Sequence, residues 1–255
     1  MSHAEENIPI NFYAGLSGLQ LPIPKYSFPP EHQDSSRLTY YATFFNSIEI
    51  NSTFYKLPMP ATVNKWVAQV PAHFKFTFKL WKEITHVKGL QFKEENIASF
   101  FTAIAGAAQK KGCILVQFPP SLGRVSILQL DSLLKCLTHY NKEHSWNIAV
   151  EFRNKSWYNE DVYTLIESYQ AGIVIQDIPK SVTPMLNHIS EFIYVRFHGP
   201  TGNYRDSYSE DFLSEYSSYI KEWLEEDKKV YAYFNNTMGD AFKNLQLLNH
   251  CLHSF

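Results

Sequence analysis

Short segments of this chain alternate hydrophobic and polar residues, and longer segments with helical spacing lie between them. Segment 148–153 is the clearest example: its even positions are Ile, Val and Phe, whereas Glu151 and Arg153 share the odd positions. Successive side chains of a β-strand point to opposite faces, so a carboxylate and a guanidinium are predicted on one face of this strand. A half-exposed strand in an antiparallel sheet would show the same pattern. The helical segments between the strands favour a parallel α/β arrangement instead.

Eight segments are predicted as strands: 11–15, 47–51, 75–80, 113–118, 148–153, 172–177, 192–198 and 230–234. Helices are predicted over 34–45, 61–70, 94–110, 125–140, 160–171 and 209–225, with a last helix ending near 252. This alternation predicts a single (β/α)8 TIM-barrel-like domain over residues 1–255, in which 1–9 form a disordered tail. The alternative is an open doubly wound sheet, but the Gly-rich phosphate turn of that fold does not follow the first strand.

Composition narrows the class of protein. The chain has 255 residues, 45% of them hydrophobic, and a net charge of −2, so a broad surface for polyanions is not indicated. No apolar run approaches the roughly 18 residues that span a bilayer, and the N-terminus lacks the features of a secretory signal. Three widely spaced cysteines (Cys113, Cys136 and Cys251) are predicted to be buried, reduced thiols. We therefore expect a cytoplasmic protein without a membrane partner; the pattern favours neither a monomer nor a dimer.

The face of the strands predicted to point into the barrel is unusually polar. It carries Glu49, Asn51, Lys75, Lys79, Gln117, Glu151, Arg153, Arg196, His198 and Asn235. Burying an unpaired charge costs several kcal/mol. These side chains must therefore either satisfy one another in an ionic network or line a wet pocket at the carboxyl ends of the strands, where barrel active sites lie.

The positions of the arginines favour a ligand pocket over a purely structural ionic network. Only five of the 23 basic residues are arginines, and two of them, Arg153 and Arg196, fall near strand ends on the inward face. A guanidinium can clamp a carboxylate or a phosphate with two hydrogen bonds. With Lys79, these cations outnumber Glu49 and Glu151, which predicts an electropositive pocket for an anionic, phosphate-bearing ligand. The structural alternative is that the two glutamates simply neutralise the two arginines.

Three residues are candidates for acid–base chemistry. His198 ends the seventh strand and titrates near neutral pH, although a lone histidine is as often a structural hydrogen-bonding group. Glu49 and Glu151 have the residue types of the paired acid and base of glycoside hydrolysis. Asp177 ends the sixth strand and can join them, but aspartate is also common in turns.

Further ligand contacts are predicted from amides and aromatic residues. Asn51, Gln117, Asn235 and Asn236 lie at strand ends and suit hydrogen bonds to sugar or phosphate oxygens. Aromatic rings in the loops at this end can stack on a base or a sugar, although local packing is the commoner role; they are Phe54, Tyr55, Trp157 and Tyr204. No metal or cofactor is predicted, because most of the ten histidines are scattered in helices and tails and neither a P-loop nor a nucleophile elbow occurs.

Five ordered motifs resemble a known family. They are Glu49–Tyr55 (EINSTFY), Gln117–Pro120 (QFPP), Glu151–Arg153 with Ser156-Trp157, Tyr194–Gly199 (YVRFHG) and Tyr233–Asn236 (YFNN). Their order is similar to that of the YecE-like family, domain of unknown function 72, over about residues 12–248. The resemblance implies a TIM barrel and carries no established activity. Leu19 stands where that family usually has a tryptophan.

The leading hypothesis is an enzyme, a hydrolase or lyase acting without metal, whose substrate is a small anionic or phosphorylated metabolite or nucleotide. The two arginines and Lys79 bind the anion, the glutamates and His198 move protons, and the amides orient the substrate. A second hypothesis is a nucleic-acid-binding or processing protein whose aromatic loops take a flipped base or a single strand. A third is a ligand-binding module without catalysis.

Overall fold

The computed structural model describes residues 9–142, 145–185 and 190–253. Its strands are β1 (Phe12–Leu16), β2 (Ser47–Ile50), β3 (Lys75–Lys79), β4 (Lys111–Gln117), β5 (Asn147–Glu151), β6 (Gly172–Ile173), β7 (Ile175–Gln176), β8 (Phe192–Phe197) and β9 (Lys229–Phe234). All paired strands are parallel, in the orders β2-β3-β4-β5-β6 and β1-β9-β8-β7.

Two junctions close these strands into one ring. A parallel bridge between Ser17 and Glu49 joins β1 to β2. At the other junction, β6 and β7 are halves of a single segment that is interrupted at Val174: β6 pairs with β5 and β7 pairs with β8. Counting that segment once gives eight positions around the ring. The predicted α/β barrel is therefore confirmed, and the carboxyl ends of all its strands face the same mouth.

The helices are α1 (Arg37–Tyr41), α2 (Pro60–Ala68), α3 (Lys82–Thr85), α4 (Glu94–Ile104), α5 (Ile127–Tyr140), α6 (Glu160–Ser168), α7 (Glu210–Glu225) and α8 (Ala241–His253). The predicted helix over 94–110 ends as an α-helix at Ile104 and continues as a distorted 3-10 segment, in which Ala108 has a φ of 48°. The short helix α3 was not predicted. Between β7 and β8, the described residues (177–185 and 190–191) contain no helix.

The barrel wall separates two cores, as the alternating pattern predicts. Apolar side chains at one strand parity, such as Ile48, Phe78 and Val150, pack beneath the helices in the main hydrophobic core. The opposite parity forms a smaller, aromatic interior that includes Tyr194, Tyr231 and Tyr233. Glu49, Lys79, Glu151 and Arg196 lie above this aromatic floor, toward the mouth, whereas Lys75 lies at the amino-terminal end of β3, on the opposite side.

Three further predictions concern the chain's termini, its membrane contact and its cysteines. The predicted tail falls almost wholly outside the described residues, which begin at Pro9. Within the part of the chain that the structure covers, no helix has the length and apolar character to cross a membrane. All three cysteines are free thiols, but only Cys113 and Cys251 are buried; Cys136 is half-exposed on α5 because that helix faces solvent along one side.

Candidate functional site

Arg196 lies at the centre of the barrel and is almost completely buried, with 2% of its surface exposed. It follows Tyr194 and Val195 on β8, whose alternation points it inward. Its Nε and Nη2 donate to the carboxylate of Glu49 at 2.7–3.2 Å, and its Nη1 donates to Glu151 Oε2 at 3.0 Å. One guanidinium therefore bridges two carboxylates, both of which are fully buried.

Arg153 forms a second layer nearer the mouth. Its Nε donates to Glu151 Oε1, its Nη1 donates to the Tyr204 hydroxyl at 3.3 Å, and its Nη2 lies 3.0 Å from His198 Nε2. These contacts use three of the five N–H groups of the guanidinium. Among the described residues, one N–H on each Nη atom keeps no protein partner, and 10% of the side chain is exposed.

His198 is fixed as a neutral imidazole. Its Nε2 faces the Nη atoms of Arg153 and Arg196 at 3.0 and 3.1 Å, and because guanidinium groups only donate, this nitrogen must accept. The proton is therefore on Nδ1, 3.2 Å from Asp177 Oδ1. Burial lowers the pKa of His198 below its usual value, although the hydrogen bond to Asp177 opposes this shift. Tyr208 donates its hydroxyl proton to the other oxygen of Asp177.

Both glutamates are ionised for the same reason. Burial alone would raise their pKa values, but the charge of Arg196 lowers the pKa of Glu49, and those of Arg153 and Arg196 hold the pKa of Glu151 well below its ordinary range. The Tyr194 hydroxyl donates a further hydrogen bond to Glu49 Oε2. Neither carboxyl group is protonated near neutral pH.

Lys79 is the cation of this cluster that no carboxylate neutralises directly. It is the last residue of β3, and within the described residues its Nζ has no carboxylate oxygen within 4.0 Å. The ammonium lies over the Phe54 ring, 4.3 Å from its centroid. Burial lowers the pKa of Lys79 to about 8; Arg196 adds to this shift, and the two glutamates oppose it.

The 3-10 helix over Asn51–Phe54 positions that ring. Thr53 Oγ1 donates to the main-chain oxygen of Lys79 at 2.7 Å, which fastens the helix to the end of β3. The Phe54 ring also contacts the edge of His86, at a centroid distance of 4.8 Å. Burial, together with the charges of Lys79 and Arg153, lowers the pKa of His86 to about 4. Both cations therefore contribute to the electrostatic potential at this imidazole.

Three predicted amides reach the same end of the barrel. Asn51 begins the 3-10 helix after β2, and its Oδ1 is buried without a hydrogen-bond partner in the described structure. Gln117 ends β4 and donates from Nε2 to the main-chain oxygen of Phe118 at 2.7 Å. Asn235 follows β9 and is 9% exposed. Their contacts with a ligand stay predictions.

Asn236 has a different position. It is fully buried, and its Nδ2 donates to the main-chain oxygen of Asp206 at 2.9 Å and to Asn244 Oδ1 at 2.8 Å. This amide therefore ties the loop after β8 to helix α8. Its Nδ2 thus has a structural role, whereas its Oδ1 is buried without a hydrogen-bond partner among the described residues, and a ligand contact stays a prediction.

The aromatic predictions divide in the same way. Trp157 is fully buried, stacks on Phe152 at a centroid distance of 5.0 Å, and donates from Nε1 to the Leu122 oxygen at 2.7 Å. Contrary to the prediction, it is not available to a ligand, because its loop folds back onto the outer core. Tyr55 is 69% exposed, and a ligand role for it stays a prediction. Tyr204 lies in the site through its contact with Arg153.

The sequence reading gave no site role to two tyrosines and one histidine that belong to this cluster: Tyr194, Tyr208 and His86. Tyr194 shares the inward parity of Arg196, which is the signal that identifies it. Tyr208 lies in a loop and only the fold brings it to Asp177. Phe54 was predicted to stack on a ligand; its ring contacts both Lys79 and His86, and stacking on a ligand stays a prediction.

The charges of the cluster balance. Three carboxylates (Glu49, Glu151 and Asp177) match three cations (Arg153, Arg196 and Lys79), so the cluster has no excess of positive charge in number. The carboxylates are bonded inside the barrel, whereas the cations Arg153 and Lys79 lie nearest the mouth. Among residues 9–142, 145–185 and 190–253, no three His, Cys, Asp or Glu side chains come together as a metal site.

Several known proteins are similar to this chain. YunF of Bacillus subtilis (strain 168), a UPF0759 protein, is 27% identical over 252 residues, which cover 85% of this chain and 86% of YunF. YecE of Escherichia coli (strain K12), also a UPF0759 protein, is 28% identical over 155 residues; the match covers 59% of this chain and 55% of YecE.

Solved structures of similar proteins share the fold. A DUF72 family protein of Thermotoga maritima MSB8 has a TM-score of 0.77 at 26% identity, covering 95% of this chain and 99% of its own. A DUF72 family protein of Enterococcus faecalis V583 has a TM-score of 0.78 at 23% identity, with 96% of each chain covered. The sequence model described as "Protein of unknown function DUF72" matches residues 13–254, which confirms the resemblance carried by the five motifs. The chain therefore belongs to the DUF72 family.

Proposed function

We propose that this protein is an enzyme that acts on a small anionic molecule, bearing a phosphate or a carboxylate, at the carboxyl-terminal mouth of the barrel. Arg153 and Lys79 hold the anionic group. Lys79 is also the group that exchanges protons near neutral pH.

The observation that carries the proposal is the ammonium of Lys79, which lies at the mouth over an aromatic ring without a carboxylate partner in the described structure. Every carboxylate of the cluster is already bonded to an arginine, a tyrosine or His198. A desolvated ammonium beside a partly exposed guanidinium with two spare N–H groups is a site for an incoming anion. A ligand anion would neutralise what the protein leaves unpaired.

The same contacts change which residues are assigned to anion binding and to proton transfer. Arg196 uses four of its five N–H groups inside the barrel and is buried, so it holds the two glutamates in place and does not reach a ligand. A general acid of the glycosidase type needs a raised pKa, whereas both glutamates have lowered ones. His198 accepts from two guanidinium groups and has no free lone pair for a substrate proton. Its catalytic role and that of the glutamates stay predictions.

Lys79 has the properties that these groups lack. With a pKa of about 8, it exists in both protonation states around neutral pH, which is the condition for efficient proton transfer. The unpartnered Oδ1 of Asn51 offers an acceptor for a hydroxyl group of the same ligand. These features favour a small, polar, anionic substrate.

A binding screen tests the proposal. Inorganic phosphate, phosphorylated sugars, short carboxylic acids and a short single-stranded oligonucleotide are titrated against the protein, with melting temperature as the first readout and calorimetry as the second. Each charge-assisted hydrogen bond is worth about 1.5–3 kcal/mol. Arg153→Gln should therefore weaken binding of the best small anion by roughly tenfold or more.

Arg124→Gln is the matched control. It removes the same charge from an exposed arginine that pairs with Asp161 outside the mouth, and it should leave affinity unchanged. Equal losses in both variants would mean a diffuse charge effect and reject the mouth as the site. Binding of the oligonucleotide alone, weakening steeply with salt, would replace the proposal with a nucleic-acid function.

A further inference from the structure

Lys79 differs chemically from the other lysines of this chain whose pKa values are lowered. Lys75, at the opposite end of β3, donates from Nζ to the main-chain oxygen of Gln109 at 3.0 Å. Lys110 donates to the main-chain oxygens of Val67 and Val70 at 2.7 and 2.5 Å. In the described structure Lys79 Nζ has no such hydrogen bond and lies over the face of the Phe54 ring, so its lone pair is not engaged by a protein donor when the amine is neutral.

This position suits a nucleophile. The amine lies at the end of strand β3, partly exposed, and its pKa is affected by the charges of Arg153 and Glu151 at the end of β5, two strands away. Strand ends are where barrel side chains meet a substrate. An amine becomes nucleophilic when it is desolvated or lies close to other cations, and both conditions hold here.

We infer that Lys79 forms an imine with the carbonyl carbon of a small anionic aldehyde or ketone held by Arg153. This inference rests on the proposed function and names its substrate class: a carbonyl compound that also carries a phosphate or a carboxylate.

The reaction balances without a further reagent. The neutral Nζ attacks the carbonyl carbon, the carbonyl π electrons move to oxygen, and a proton passes from nitrogen to oxygen to give a carbinolamine. The hydroxyl takes up from solvent one proton, equivalent to the one that the Lys79 ammonium released on becoming neutral, and its loss as water leaves a protonated imine. Hydrolysis by one water returns the amine and the carbonyl compound.

The site accommodates each charge state. The protonated imine carries the same single positive charge as the ammonium that it replaces, so its interaction with the Phe54 face is retained. Glu151, ionised and fixed by two arginines, stabilises that charge electrostatically. The substrate's anionic group meets the two spare N–H groups of Arg153.

Reductive trapping tests the inference. The protein is incubated with glycolaldehyde phosphate or with neutral glycolaldehyde in the presence of cyanoborohydride, and the adduct is located by intact mass and peptide mapping. A pKa of about 8 leaves about one Lys79 amine in ten neutral at pH 7, against about one in a few thousand for an ordinary lysine. We expect Lys79 to be labelled at least tenfold faster than any other lysine, and faster by the phosphorylated aldehyde than by the neutral one.

Two variants and a pH profile make the result specific. Lys79→Arg keeps the cation but has no primary amine, so the fast adduct should disappear while the melting temperature shows that the fold is retained. In the Lys75→Arg variant, whose substitution lies on the same strand, Lys79 should be labelled at the unchanged rate. The rate at Lys79 should rise up to pH about 8 and then level, whereas that of surface lysines continues to rise.

The outcomes separate this inference from the proposed function. Equal labelling of many lysines, or a fast adduct that persists in Lys79→Arg, overturns the nucleophile. If inorganic phosphate still binds and Arg153→Gln weakens that binding, the anion site stands and only the imine is rejected. If neither phosphate nor an adduct is detected, both are rejected.

Discussion

The buried bridge Glu49–Arg196–Glu151 makes a quantitative prediction for Arg196→Met. Methionine fills a similar volume with an unbranched apolar chain, so the main effect is electrostatic. Glu151 keeps Arg153 as a partner, but Glu49 is fully buried, keeps the hydrogen bond from the Tyr194 hydroxyl and has no other cation within 4.0 Å among the described residues. Removing one partner of a buried ion pair costs about 3–5 kcal/mol, because the other charge is left uncompensated. We expect a loss of that size in the free energy of unfolding at pH 7.

The pKa of Glu49 predicts how this loss in the free energy of unfolding changes with pH. In the native protein the pKa of Glu49 lies below its ordinary value of 4.5, so its stabilising contribution is complete above pH 4.5 and is lost as the pH falls through the folded value. In Arg196→Met, burial without a cation raises that pKa above 4.5. The cost of the buried charge is then complete above the raised pKa and disappears below 4.5. The difference in stability between the two proteins should therefore shrink as the pH falls from 8 to 4.

Urea unfolding followed by circular dichroism measures the effect, with the slope m as the check that the unfolded state is unchanged. The double variant Glu49→Gln/Arg196→Met removes the orphan charge and should recover roughly half of the loss or more. Arg124→Met is the matched control: its pair with Asp161 is exposed, and its removal should cost about 1 kcal/mol or less. A loss below 1 kcal/mol for Arg196→Met, or a double variant weaker than the single one, would refute the assignment.

Two further substitutions test the corrections to the site and to the fold. Trp157→Ala should cost about 3–5 kcal/mol in urea unfolding, because the ring is fully buried, yet the folded variant should bind inorganic phosphate as the native protein does; weaker phosphate binding would restore a ligand role for Trp157. Gly15→Ala should cost about 1–3 kcal/mol and lower the melting temperature, because a Cβ there would lie 2.1 Å from the Ser47 oxygen on β2; an unchanged melting temperature would contradict so close an approach of β1 to β2.

Much of the fold follows from one local property of the sequence. Side chains alternate between the faces of a strand whatever its neighbours are, so the period of two in segments such as 148–153 predicts both the strand and the face that points inward. The structure agrees: Ile148 and Val150 lie in the outer core and Glu151 lies inside the barrel. The short helix α3 and the interruption of the strand at Val174 have no such period, which is why the pattern did not predict them.

The pairing of the charges did not follow from the sequence. Arg196 binds Glu49, 147 positions away, because the ring closes between β1 and β2 and so brings the inward face of β2 across the barrel interior from β8. The inward pattern is the same whether Arg196 meets Glu49, Glu151 or solvent. Similarly, Trp157 follows a strand at the mouth like a ligand-contacting residue, and only the packing of its loop against Phe152 decides that it is buried.

The buried ionic bridge requires a reason beyond stability, since replacing such a bridge by apolar side chains of similar volume is often neutral or stabilising. Its geometry supplies one. Arg196 fixes one oxygen of Glu151, and the other oxygen receives Nε of Arg153, so the plane of the Arg153 guanidinium is set from below. His198, whose Nδ1 is hydrogen-bonded to Asp177, accepts a hydrogen bond from Nη2 of Arg153. In the proposed function, the two remaining N–H groups would thereby be aimed before any ligand arrives, which would lower the entropic cost of binding an anion. The lower layer of the cluster would then act on the proposed binding through the orientation of Arg153, although none of its members reaches the mouth.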